Sequence, residues 1–573
     1  MNHAVRPTHR TLRHKLVLGA MLGAFLLLGA RAVFLQVVDA SYLQEQGNAR
    51  HLRVVEDNSH RGMILDRNGE PLAISTPVDT LWANPEELSE ARDRWPALAK
   101  SLEMPVREIS QQLHRYAGRE FMYLRRHVTP EMAQQVLALD VPGVAVLREY
   151  RRYYPAGAVT GHVVGFTNVD DQGQEGLELA YNSWLRATPG KKRVLKDRLG
   201  NVVETVESLS LPIAGRDLTI SIDRRIQYLA YRELKAAVAE HKARAATAVV
   251  LDVRSGEILA MVNEPGFNPN NRGNLRSQVF RNRAVTDVFE PGSTLKAFTI
   301  ATALESGKFL PTTLIDTTPG NIQVGRNTIR DTHNYGLLTV SGVIEKSSNV
   351  GATKIAFGLS KTSLWQMLTN VGFGRLTKVG LPGESAGVVN PSSTWRPIER
   401  ATVSYGYGIS VTALQLAHAY SGLANDGVEV PLTLLRRDQP VEGVRVMSDK
   451  TARQVTAMLE MAVSADGTGE AAQVYHYRVA GKTGTVHKLS GGTYSPDNYL
   501  ALFAGFAPAS DPRLVMVIMV DDPEGNAYYG GQIAAPVFGK VMSGALRLLN
   551  ITPDDLPRPT QRMVQVEPGG KAL

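Results

Sequence analysis

Two pairs of apolar runs, far apart in the chain, limit the fold most. Thr247–Val253 and Glu257–Val262 flank Arg254-Ser255-Gly256 in a hairpin pattern, and Tyr499–Ala507 with Leu514–Asp521 form a second strand pair. The stretch between them is mostly helical in pattern. Strands at both ends with a helical middle imply one antiparallel sheet closed by the two ends of a domain, with helices packed against it, an α+β arrangement. A strand over Leu218–Ile222 leads to Asp223, which can cap a helix reaching about Lys242, with Ile226, Leu229, Leu234, Ala237 and Val238 on its inner face. Ala535–Leu549 reads as an amphipathic terminal helix. After Thr552 the chain turns to Pro, Gly and charge, so 558–573 is expected to be a disordered tail.

At 573 residues the chain should hold more than one domain. Its 43% hydrophobic and 21% charged residues describe globular protein. A net charge of +8, with no arginine-rich run and no interleaved aromatic patch, is read as solvated surface, not a nucleic-acid footprint. The absence of cysteine excludes disulfides, thiol nucleophiles and thiolate metal sites, and none of the thirteen His forms an H-E-x-x-H pair. No metal or organic cofactor is expected.

The N-terminus bears on localisation. Arg6, Arg10, Arg13 and Lys15 precede an apolar run that starts at Leu16 and continues to Val38, broken by Arg31 and Gln36. As a helix, 16–38 would be roughly 34 Å long, enough to cross a bilayer. Positive charge on the short side places residues 1–15 in the cytoplasm and everything after Asp39 outside it, as in a single-pass inner-membrane protein. A cleaved signal peptide competes, because Ala30-Arg31-Ala32 resembles a small-residue cleavage site. A charge inside that site and the resumption of apolar residues after it favour an uncleaved anchor, with Arg31 snorkelling to the interface.

Residues 39–215 form the first region beyond the anchor. Arg61–Ala73 reads as strand, tight Asn68-Gly69 turn, strand, and helical patterns follow around Glu86–Leu102 and Pro130–Leu139. No nucleophile–base pair stands out, so the region reads as a scaffold or docking domain ending near Leu211–Gly215.

The chemistry lies in 216–557. In Glu290-Pro291-Gly292-Ser293-Thr294-Leu295-Lys296 a turn opens a buried helix, and Ser293 and Lys296, three apart, share a face. A partly desolvated Lys can take the Ser proton, and free N–H groups at the helix start favour a developing oxyanion. Alone, such a pair is a common coincidence. Ser347-Ser348-Asn349 interrupts a helical pattern and by itself would read as a helix cap. Lys482-Thr483-Gly484-Thr485 reads as a strand edge, where Gly484 would let a ligand approach the backbone, or equally as an exposed edge blunted by a Lys.

Taken together and in order, S-x-x-K, S-x-N and K-T-G are the active-site signature of penicillin-binding proteins and serine β-lactamases. The chain resembles the class B penicillin-binding proteins of the division-specific, penicillin-binding-protein-three type. The resemblance includes Asp287–Ser293, Lys346–Gly351, Glu399-Arg400-Ala401, Ser404–Gly408 and Tyr528–Gly531, and it runs from the anchor to about Pro557. Arg61-Gly62 with Asp66-Arg67-Asn68-Gly69 resembles that family's elongated non-catalytic pedestal domain. Val486-His487 departs from the pattern, where the family often has a small residue and a basic one.

The resemblance implies a peptidoglycan DD-transpeptidase of the septum, inhibited by β-lactams. Ser293 would attack the penultimate D-alanine carbonyl of a stem peptide, D-alanine would leave, and an amine of a neighbouring stem peptide would resolve the acyl-enzyme. It further implies Lys296 as base, Ser347 as proton relay, Asn349 holding Lys296 and the substrate amide, and Lys482, Thr483, Gly484 and Thr485 receiving the terminal carboxylate. The oxyanion hole would be the Ser293 and Thr485 N–H groups. Implied partners are divisome membrane proteins, including a lipid II polymerase. An elongation-type transpeptidase, an accessory paralogue, a serine β-lactamase or carboxypeptidase, and an inactive divisome scaffold are the alternatives.

Overall fold

The computed structural model describes residues 9–42, 52–196, 202–273, 275–490, 493–525 and 527–556. The expected tail, 558–573, lies outside the described residues, as do residues 1–8 of the expected cytoplasmic segment. One helix among the described residues is long and apolar enough to cross a membrane: it runs over His9–Val33 and continues as a π turn over Phe34–Val38. Its apolar side chains are exposed, and the Arg31 guanidinium lies 5.7 Å from the Phe34 ring centroid.

The chain divides into two compact units, the first comprising Met1–His60, Thr76–Arg151 and Ala187–Ala214. Its core gathers Leu81, Leu88, Leu98, Ile109, Met122 and Val136. The helix expected around Glu86–Leu102 is two helices, Pro85–Glu90 and Trp95–Ser101, joined by a 3-10 turn. The second carries Pro96 in its first turn, where a missing N–H is tolerated; in the interior of one long helix it would remove a hydrogen bond. A third helix, Val106–Arg115, was not anticipated. Leu52–Asp57, Gly190–Lys196 and Val202–Ser210 form an antiparallel three-stranded sheet.

The second unit comprises Arg61–Ser75, Arg152–Arg186 and Gly215–Leu573, so two stretches ahead of Gly215 belong to it. A buried carboxylate fixes them to each other: Glu178 accepts from Arg61 Nε at 2.7 Å and from Arg152 Nε at 2.6 Å. The Asn-Gly turn is a helix support as well. Asp66 accepts the Asn68 and Glu70 N–H groups with one oxygen and the Arg224 N–H with the other, at 2.7, 2.9 and 3.2 Å. Of the strand expected at Leu218–Ile222 only Leu218–Thr219 pairs as one: Ile220 still bonds to Leu65 of the same partner strand, but Ser221 and Asp223 then turn to Leu434 and Leu259.

Helix α1, Arg224–Glu240, is capped by Asp223. Strands β1 (Ala245–Asp252) and β2 (Ile258–Glu264) follow, then α2 (Lys296–Glu305), α3 (Val340–Glu345), α4 (Asn349–Gly358), α5 (Ala413–Ala424) and α6 (Asp449–Val463). β3 (Ala480–Ser490), β4 (Thr493–Ala507), β5 (Leu514–Asp521) and α7 (Gly530–Leu548) complete it. The helix α7 starts at Gly530, ahead of the expected Ala535, and holds Pro536 inside it. The five strands form one antiparallel sheet in the order β2-β1-β5-β4-β3, so the two ends of the domain do close a single sheet.

Both faces of that sheet are buried, which is why its strands read as unbroken apolar runs. On β5, Leu514, Met516, Ile518 and Val520 share a core with α1 and α7, while Val515, Val517 and Met519 pack in the core that holds α2 and α5. The order leaves β3, with Lys482–Thr485, on the sheet's edge.

Candidate active site

The turn before α2 is shaped by close backbone approach. Gly292 has φ +54° and donates its N–H to the Gly406 carbonyl at 3.0 Å. A Cβ on Gly406 would stand 2.0 Å from the Gly292 oxygen, so this approach requires glycine. Glu290 accepts the Gly408 N–H at 2.7 Å, and the buried Tyr420 hydroxyl donates to the Thr294 carbonyl at 2.7 Å. Gly292–Leu295 is a 3-10 turn that runs into α2, whose Phe298 makes edge contacts with Phe373 and Tyr420. Ser293 is therefore held half-buried on a fixed turn.

Lys296, fully buried one turn on, reaches back to Ser293. Its Nζ lies 3.0 Å from Ser293 Oγ, 2.5 Å from the Ser347 carbonyl, 3.2 Å from Ser347 Oγ and 2.7 Å from Asn349 Oδ1. Ser347 stands between α3 and α4 at φ +60°, a left-handed conformation costly for a side-chain-bearing residue. That break turns both Ser347 oxygens toward Lys296. The Ser348 hydroxyl caps α4 by accepting the Gly351 N–H, so the cap reading holds for the middle residue of the motif while its neighbours face Lys296.

Asp331, missed in the sequence, secures this motif. It accepts the Ser348 hydroxyl at 2.5 Å and the Asn349 and Val350 N–H groups at 2.5 and 3.0 Å. Nothing around Arg330-Asp331-Thr332 marks it as a site residue; only the fold brings it to the start of α4.

Lys482 is also fully buried, with long contacts only: Thr468 Oγ1 at 3.4 Å, and the Thr483 carbonyl and Oγ1 at 3.3 Å each. Among the described residues no carboxylate pairs with it. Thr468, equally silent in the sequence, lies 2.8 Å from Thr483 Oγ1. The Thr485 hydroxyl accepts the Gly530 N–H at 3.0 Å. Gly484 is pressed against the nucleophile turn, where a Cβ would meet the Pro291 carbonyl and Thr294 Cγ2 at 3.2 Å each. His487 bonds through Nδ1 to the Ser495 carbonyl at 2.9 Å, and its ring centroid lies 4.6 Å from that of Tyr499.

Burial acts on both lysines. It pushes Lys482 down to about 7. Burial first, then the like charge of Lys482, holds Lys296 well below the usual lysine range, while Asp331 pulls the other way. The sequence-predicted residues Ser293, Lys296, Ser347 and Asn349 thus meet at one amine, and Gly484 brings the Lys482–Thr485 edge against their turn.

Residues 246–543 match the family model of the penicillin-binding protein transpeptidase domain, and 56–220 that of the penicillin-binding protein dimerisation domain. The chain is 43% identical over 549 residues to the peptidoglycan D,D-transpeptidase FtsI of Escherichia coli (strain K12), covering 95% of this chain and 93% of that protein. It is 40% identical over 545 residues to the probable peptidoglycan D,D-transpeptidase PenA of Neisseria gonorrhoeae, covering 94% and 93%. Among solved structures, the transpeptidase domain of Burkholderia pseudomallei penicillin-binding protein 3 is 45% identical, with a TM-score of 0.55 over 59% of this chain and 98% of that one. A peptidoglycan synthetase from Bifidobacterium adolescentis is 26% identical, with a TM-score of 0.70 over 88% and 98%. With both family models matched and relatives aligned over nearly its whole length, the chain belongs to the class B penicillin-binding proteins of the penicillin-binding-protein-three type.

Proposed function

We propose that the chain cross-links peptidoglycan stem peptides at the division septum through an acyl-enzyme on Ser293, and that β-lactams acylate the same hydroxyl. The convergence of Lys296 on Ser293 carries the reading. A neutral amine has two N–H groups and one lone pair. The Ser347 carbonyl and Asn349 Oδ1 can only accept, and they take the two N–H groups; the Asn349 amide is oriented by its own Nδ2 donating to the Arg330 carbonyl at 3.2 Å. The lone pair is left facing the Ser293 hydroxyl, whose proton it takes as Oγ attacks the D-alanine carbonyl.

Lys482 supports the substrate end of the reading. A buried cation with only hydroxyl and carbonyl contacts is under-compensated until an anion arrives. The terminal carboxylate of the stem peptide, held by Lys482, Thr483 and Thr485 with Gly484 admitting the backbone, supplies that anion. The Ser293 and Thr485 N–H groups stabilise the tetrahedral oxyanion. Ser347 returns the proton to the departing D-alanine nitrogen, and an acceptor amine resolves the ester.

By the same reading, 1–15 is cytoplasmic, 16–38 is an uncleaved anchor, 39–215 is the pedestal and 216–557 the transpeptidase domain on the periplasmic side. Divisome membrane proteins, including a lipid II polymerase, are its partners. Purified residues 40–573 should take a labelled penicillin, Ser293→Ala should lose the label while staying folded, and Lys296→Arg should slow acylation by ~10²–10⁴-fold. Persistent labelling of Ser293→Ala would overturn the assignment.

A further inference from the structure

A cavity of about 720 Å³ lies between α1 and α7 and shares no residue with the cluster around Ser293. Its floor is apolar, with Val159, Leu229 and Leu548. The two helices approach closely there because position 544 is glycine: a Cβ would fall 2.3 Å from Leu229 Cδ2. Its rim carries Arg224, Arg225, Arg232 and Arg547, and no acidic residue lines it.

Three of these guanidiniums have a carboxylate behind them. Arg224 is 3.5 Å from Glu70, Arg225 is 2.7 Å from Asp223 and Arg232 is 2.6 Å from Glu233, yet each side chain remains 42–58% exposed. Arg547 bonds only to the Ser543 carbonyl, at 3.1 Å, among the described residues. Arg224 and Arg225 also occupy the first turn of α1, where the helix dipole disfavours positive charge. Glu70 and the buried N-cap carboxylate of Asp223 hold the two there, and Tyr228, beside them on the rim, is 53% exposed.

We propose that this groove docks an acidic amphipathic segment of a partner protein, with an apolar side chain in the cavity and carboxylates on the arginines. The spacing favours a peptide over a lipid headgroup. Arg224, Tyr228 and Arg232 repeat every fourth residue along one stripe of α1, so the outer two are about 12 Å apart. Arg547 faces them from α7. A single phosphate needs donors that converge; carboxylates one or two helical turns apart match donors that are spread. Exposed Tyr and Arg around an apolar floor are also the residues that anchor protein interfaces.

The test uses the full chain in detergent and fluorescence anisotropy with a labelled helical peptide. In that peptide Leu and Phe repeat at i, i+3, i+4 and i+7 with Glu elsewhere; a second peptide carries Lys in place of Glu, and vesicles of phosphatidylglycerol form the third probe. The Glu peptide should bind saturably and more weakly as salt rises, and the Lys peptide should not bind. Arg232→Glu with Arg547→Glu should weaken the Glu peptide at least about tenfold. Tyr228→Ala should weaken it with no change in salt dependence. Penicillin labelling of Ser293 and thermal melting, unchanged in the variants, exclude misfolding. Failure of the Glu peptide to bind, equal binding by the charge-reversed variant, or vesicle binding lost on charge reversal in place of peptide binding would each overturn the proposal.

Discussion

The carbonyl of Ser347, not its hydroxyl, makes the shorter contact with Lys296: 2.5 Å against 3.2 Å. A backbone atom therefore holds the amine, and it can do so because Ser347 adopts φ +60°. The side chain is left free for a different task, which under the proposed mechanism is proton relay to the leaving nitrogen. Positioning and relay come from one residue but can be separated by substitution.

Ser347→Ala should keep Lys296 in place and lose the relay, lowering penicillin acylation by roughly 10²-fold. Ser347→Gly should lose as much activity, yet it should melt above Ser347→Ala, because glycine adopts this backbone conformation without the ~1 kcal/mol penalty of a Cβ. Acylation rates and melting curves of the two variants, side by side, check the argument. Equal melting temperatures would mean that the left-handed turn is not strained.

The buried Lys482 ties stability to pH. Its folded pKa, about 7, lies below the ordinary lysine value that it regains on unfolding. Between those limits the unfolded chain binds the extra proton, so stability rises with pH across that window; below about pH 7 both states are protonated and the cost is constant. Lys482→Met removes the titration. Urea unfolding from pH 7.5 to 9 should show the wild type gaining on the variant by up to about 1.4 kcal/mol per pH unit, with the variant the more stable at pH 7. Parallel curves would show that Lys482 keeps an ordinary pKa.

Asp331 acts on the site from behind α4. It accepts two N–H groups at the start of that helix and draws the Lys296 pKa upward. In Asp331→Asn the opposing pull is gone and Lys296 falls further, so the neutral amine persists to lower pH. The acid limb of the acylation-rate profile should shift toward acid, while stability falls by about 1 kcal/mol as the negative charge leaves the helix N-terminus. A merely structural role would lower the rate at every pH and leave the limb where it was.

Much of this was legible in the chain. Leu514–Asp521 announced an apolar strand, and Ser293/Lys296 announced a pair on one helix face, because period and spacing are local properties. Asp331 and Thr468 were not legible. Each is an ordinary polar residue in a loop, and its role exists only once Asp331 meets the N–H groups of α4 and Thr468 meets Thr483. The break at Ala91 was missed because the apolar spacing of Leu88, Trp95 and Leu98 suits one helix as well as two. Leu218–Ile222 has the composition of a strand, but its successive partners lie on different segments, and composition cannot see partners.

The lifetime of the acyl-enzyme separates a transpeptidase from a hydrolase. Hydrolysis needs a base to activate water at the ester. Among the described residues no carboxylate bonds to Ser293, and Asp331 engages Ser348, Asn349 and Val350. A penicilloyl group keeps its leaving nitrogen tethered, so it blocks the side from which an acceptor would come. A stem-peptide acyl group loses D-alanine by diffusion and opens that side. The full chain should therefore turn over a thioester mimic of the stem peptide, faster when a D-amino acid is supplied as acceptor, and should barely hydrolyse penicillin. Labelled enzyme chased with unlabelled drug and followed by intact mass should keep its adduct for many minutes. Loss of the adduct within seconds, with hydrolysed penicillin accumulating, would mean that a water-activating group serves Ser293 and that the chain works as a β-lactamase.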